Sequence, residues 1–170
     1  MSRVKGQGSR VKGCGKVEIE IINLHKKYAL ASALLKNVVK KILRFVKSPG
    51  TMSSLDIVFL DDKSIRVLNR RHKGVNRPTD VLSFELRDEK VRGNFTGEVI
   101  ISIDRAFKNS KIFRTDLKEE IVLYVIHGIL HLFGYDDETR AECVKMERKQ
   151  KEILRFLCKR EDLSKVLMPR

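Results

Sequence analysis

The sequence predicts an α+β, or mixed α/β, domain in which about five helices cover one small sheet of about four strands. Three stretches carry that expectation. Val17-Glu18-Ile19-Glu20-Ile21 alternates apolar and acidic residues with the period of a half-buried strand, and Ala29, Ala33, Leu34, Val38, Ile42 and Phe45 then recur at helical spacing. Further on, strands starting at Val81 and at Gly97 are separated only by a charged connection over 87–96 that contains Gly93 and Asn94, which predicts an antiparallel pair.

Taken in order, residues 1–15 are basic, lack acids and contain Ser-Arg-Val-Lys-Gly twice, at 2–6 and 9–13. Nothing there can bury a core, so the stretch reads as a flexible tail, either idle or able to touch RNA phosphates. The first strand leads through His25, read as structural, into a helix with Lys36, Lys40, Lys41, Arg44 and Lys47 on its other faces. Ser48-Pro49-Gly50 stops that helix. Ser54 to Leu60 is a second strand, after which Asp61 caps a short helix carrying Ile65, Val67 and Leu68. Past the strand pair, Asp104 is expected to cap a helix running through Phe107. The next helix, Leu117 to Ile126 and onward, is apolar enough to be buried, with Thr115 as its N-cap and Asp116, Glu119 and Glu120 suited to its positive start. A last helix spans 138–157 with Cys143, Met146, Ile153, Leu154 and Leu157 inward, and 158–170 reads as a C-terminal tail, which leaves 16–157 as the folded domain.

With 170 residues, 42% of them hydrophobic, the chain suits one domain with a real core, and its formal charge of +14 points to a polyanionic partner, nucleic acid ahead of anionic membrane. Cys14, Cys143 and Cys158 are odd in number and include no Cys-x-x-Cys pair, which argues against a disulfide framework and for a reducing cytoplasm. No apolar run approaches a membrane span.

The chemistry concentrates at His127-Gly128-Ile129-Leu130-His131-Leu132-Phe133-Gly134-Tyr135-Asp136-Asp137. If the buried helix continues, His127 and His131 lie four residues apart on one face, and Gly134 offers a left-handed stop before the two carboxylates. Two imidazoles so placed can share one metal ion or simply be hydrogen-bonded core histidines. Zinc peptidases carry Glu beside the first His; Gly128 stands there instead, which disfavours a peptidase. A second stretch, Arg70-Arg71-His72-Lys73-Gly74-Val75-Asn76-Arg77 before Pro78-Thr79-Asp80, is dense enough in cations to bind phosphate, or else is a solvated helix end.

Leu68-Asn69 with Gly74 and Pro78-Thr79-Asp80-Val81-Leu82-Ser83-Phe84, then Gly97-Glu98-Val99-Ile100, then His127 to Asp136, resemble the YbeY family of bacterial endoribonucleases and ribosomal RNA maturation factors, over about residues 16–157. The resemblance implies a zinc-dependent hydrolase specific for single-stranded RNA. It would act in 16S rRNA 3′-end maturation and ribosome quality control, with RNA and the small ribosomal subunit as partners and no membrane or DNA. It also implies His127 and His131 as the first two metal ligands, with the family's third His falling at Asp137, whose carboxylate would take that place. Lys73 stands where the family has an Arg facing the metal cleft; it is expected to stabilise charge on the phosphate, helped by Arg70, Arg71 and Arg77. His72 replaces an aromatic. A non-catalytic RNA-binding assembly factor with a structural or decayed metal site is the alternative.

Overall fold

The computed structural model describes residues 17–46, 51–87 and 94–169. In chain order it forms β1 (Glu18–Asn23), β2 (Tyr28–Leu30), α1 (Ser32–Val46), β3 (Thr51–Leu60), α2 (Asp62–Lys73), β4 (Val81–Arg87), β5 (Asn94–Ser102), α3 (Ile103–Phe113), α4 (Leu117–Leu132), α5 (Arg140–Cys158) and β6 (Leu167–Pro169). The four long strands make one mixed sheet in the order β1-β3-β5-β4. β1, β3 and β5 run parallel, and β4 pairs antiparallel with β5, from Val81 opposite Ile101 to Arg87 opposite Phe95. The expected fold class is the observed one.

Period-two alternation along the central strands sorts the core into two faces. Leu55, Ile57 and Phe59 of β3 with Val99 and Ile101 of β5 join the large cluster built with α1, α4 and α5. Val58, Leu60, Leu82 and Ile100 point the other way and are covered by Ile65 and Leu68 of α2. The inner strands are therefore apolar on both faces, as crossover-linked parallel strands require.

Several local expectations change. The helix expected from Ala29 begins at Ser32, because Tyr28–Leu30 is drawn into a short ribbon with Leu167–Pro169. Of the tail expected over 158–170, the described residues to 169 are packed on the domain: Leu163, Val166 and Leu167 are buried, and Ala31 donates its backbone N–H to Val166 O. The apolar residues of this stretch are too few to show a period, and their partner lies more than a hundred residues upstream. Ser102, not Asp104, caps α3, which runs on to Phe113, and Asp116, not Thr115, caps α4. Asp104 instead accepts from the Asp62 backbone N–H and lies 3.2 Å from Nε2 of His25, which is buried as a structural histidine should be. The tail expected over 1–15 and the middle of the β4–β5 connection lie outside the described residues.

Candidate metal centre and its basic flank

α4 carries the centre because it is the helix pressed hardest into the core. Ile121, Val122, Val125, Ile126, Ile129 and Leu130 are fully buried, and Asp116 opens the helix by accepting the Lys118 N–H at 2.7 Å. Gly128 sits against the sheet so closely that a Cβ there would lie 2.2 Å from Val99 Cγ1 and 3.1 Å from Val81 Cγ1. Ser83 Oγ of β4 donates to Gly128 O at 3.0 Å. A glutamate beside His127, as zinc peptidases have it, would overlap β5, so the sterics of the sheet contact exclude that chemistry at this position.

The helix ends as its glycine predicts. Gly134 takes φ +76, its N–H donates to His131 O, and Tyr135 N–H reaches back to Leu130 O, which together make a Schellman stop. Five residues later Thr139 opens α5 with a capping box shared with Glu142. The turn between is thus tied at both ends, and Cys143 Sγ also donates to Asp137 O at 3.0 Å. This places the Asp137 carboxylate over the two imidazoles. His127 Nε2 and His131 Nε2 are 3.0 Å apart, and Asp137 Oδ2 is 3.7 Å and 3.8 Å from them. Ligands of a tetrahedral zinc at about 2.0–2.1 Å stand about 3.3 Å from one another, so two nitrogens and one oxygen at these separations fit such an ion and leave a fourth position open. His127, His131 and Asp137 form a group that could hold a metal ion.

Burial, then the neighbouring His131 ring, pushes the His127 imidazole below its ordinary pKa, against the opposing pull of the Asp80 and Asp137 carboxylates. A neutral ring is the form that ligates metal. The other ring nitrogen, Nδ1, is met by the side-chain amide of Gln150 from α5 at 2.6 Å. Nothing in the sequence marks Gln150, since the contact joins residues 23 apart and depends on how α4 and α5 pack.

A basic recess lies alongside. Asn69, Lys73, Val75, Arg77, Pro78, Thr79, Asp80, Arg105 and Asn109 line about 420 Å³ of open space. Two features tie it to the centre: Asp80 acts on His127, and Asn109 donates to the Tyr124 hydroxyl at 2.7 Å, one turn of α4 before His127. Of the cations singled out in the sequence, Lys73 and Arg77 reach this recess, while Arg70 and Arg71 are exposed on α2 outside its lining. Gly74 closes α2 at φ +70, and buried Asn69 donates to Arg77 O at 2.8 Å, which fixes the loop that presents Arg77. Arg105, from α3, is a cation of the recess that the sequence does not single out; it donates to Pro78 O and lies 3.6 Å from Asp62. His72 packs on Phe84, ring centroids 4.8 Å apart, which accounts for it as a packing residue.

The family model described as Endoribonuclease YbeY matches residues 20–158. The chain belongs to the YbeY family. Two curated YbeY endoribonucleases are similar over nearly their whole lengths. That of Thermodesulfovibrio yellowstonii is 32% identical over 82% of this chain and 96% of its own, and that of Pelotomaculum thermopropionicum is 34% identical over 79% and 93%. The solution structure of a Thermotoga maritima protein superposes with a TM-score of 0.54 at 32% identity, covering 80% of this chain and 86% of that one. Among the described residues no helix of this YbeY-family chain is long and apolar enough to cross a membrane.

Proposed function

We propose that the chain is a zinc-dependent endoribonuclease that hydrolyses phosphodiester bonds of single-stranded RNA, acting in the cytoplasm in 16S rRNA 3′-end maturation and ribosome quality control on the small subunit. The observation that carries this reading is the convergence of His127, His131 and Asp137 donor atoms within 4.8 Å of one another, beside a cationic recess, in a YbeY-family chain. A metal ion held there supplies Lewis-acid polarisation of a phosphoryl oxygen and acidifies bound water. His127 and His131 hold the ion from a helix fixed in the core. Asp137 adds a third ligand whose negative charge lowers the net charge of the site relative to a third imidazole. Lys73, with Arg77 and Arg105 in the same recess, draws a phosphate toward the centre and stabilises the charge that develops on it. Lys73 keeps the charge of an arginine without its planar fork, so its hold on phosphate is a point contact. Exposed Arg70 and Arg71 extend the positive field along the strand.

A non-catalytic RNA-binding assembly factor is the second reading. It is favoured by Asp137 itself, 45% exposed and set farther from each imidazole than they are from each other. Elemental analysis of the purified protein beside Asp137→Ala and His131→Ala, each assayed on single-stranded RNA, separates the two. About one zinc per chain, lost together with cleavage in both variants, is the expected result. A metal-free parent that binds RNA and does not cut it supports the assembly factor.

A further inference from the structure

We propose that Gln150 is the positioning residue for His127: its side-chain oxygen accepts the Nδ1–H of His127, which keeps Nε2 free of a proton and turned toward His131 and Asp137. The inference rests on the metal-centre reading and adds a residue from α5 to it.

Three observations support it. The terminal amide of Gln150 meets Nδ1, with its nitrogen Nε2 placed 2.6 Å away, and no other group among the described residues hydrogen-bonds to that ring nitrogen. When Nε2 is the ligand, Nδ1 carries the ring proton and acts as a donor, so the group facing it must accept. A glutamine can do so, because its amide oxygen and nitrogen exchange places on a half-turn of the terminal bond. Finally, Gln150 is held firmly. Met146, four residues before it, and Ile153, three after it, are both buried in the core cluster, and they set the rotation of α5 that aims Gln150 at the ring. The same helix begins at the capping box that follows Asp137. α5 therefore fixes the turn behind one ligand at its start and orients another ligand from its middle.

The test compares Zn²⁺ affinity, read by competition with a chromogenic chelator, in the parent, Gln150→Met and Gln150→Glu. Met keeps the length and the apolar stem without the acceptor and is expected to bind zinc about 10–100-fold more weakly. Glu keeps an acceptor and is expected to stay near the parent. Equal affinity in the parent and in Gln150→Met overturns the proposal while leaving the metal reading intact. A parent that takes up no zinc overturns both. Should Gln150→Met fail to fold, ¹⁵N NMR of the zinc-loaded parent decides. A His127 ring with Nδ1–H protected from exchange is expected, whereas zinc on Nδ1, or a freely exchanging Nδ1–H, overturns it.

Discussion

The two halves of the site are held in opposite ways. The metal corner between α4 and α5 is over-determined: Gly128 lies against Val99, a Schellman stop and a capping box bracket the turn, and both imidazoles are at most a quarter exposed. The basic flank at the end of α2 is fixed only in its backbone, by Gly74 and by the Asn69 bond to Arg77 O, and its cationic side chains stand in solvent. The difference follows from what each must do. Ligands need sub-ångström placement, which a rigid core supplies. Phosphate attraction works at a distance and tolerates mobile side chains. Damage to the first region should therefore act through fold and metal together, and damage to the second through RNA affinity alone.

The strongest way to break that contrast is Gly128→Ala. Its methyl group has to displace Val99 in the core, at a cost of about 3 kcal/mol read from the urea midpoint, with zinc content falling in parallel. Full stability with full zinc would mean that Gly128 does not set the approach of α4 to the sheet. Next is Lys73→Ala with Arg77→Ala. RNA affinity should drop roughly tenfold and the slope of log affinity against log salt should flatten by about 1.4, at unchanged zinc content and thermal midpoint. A loss of zinc in that variant would show that the two halves are not independent. A smaller effect is expected for Thr139→Ala, which removes the cap of α5 at about 1 kcal/mol and loosens the turn behind Asp137, so that zinc affinity falls with stability.

The smallest effect concerns pH. The folded state holds His127 below its ordinary pKa, so as pH drops under about 6.5 the unfolded chain takes up a proton that the folded one refuses. Stability is then lost on acidification. His127→Gln should flatten that part of the metal-free protein's urea midpoint against pH, and an unchanged profile would show that His127 is not the group responsible.

How much of this was legible in the sequence depended on the range of the contact. The i, i+4 histidines, the glycine stop and the Asp61 cap are local, and local spacing identifies them. The strand pair from Val81 and Gly97 was readable for the same reason. The caps of α3 and α4 stand one or two residues from the expected ones, since Ser102 and Asp104, or Thr115 and Asp116, carry equally suitable oxygens and only the backbone chooses. What stayed hidden was non-local: the β2–β6 ribbon, Arg105 in the recess and Gln150 on His127. Each depends on a packing angle that no single stretch encodes.

Gly128 also bears on how the site can be adjusted. The height of α4 above the sheet is set by backbone meeting Val99, not by the volume of a side chain, so substitutions cannot tune it in small steps. The two histidines are therefore a fixed reference from which the rest of the centre is measured. Adjustment of the centre falls instead to the turn after Gly134, where this chain carries Asp137, and to the facing side of α5, where it carries Gln150.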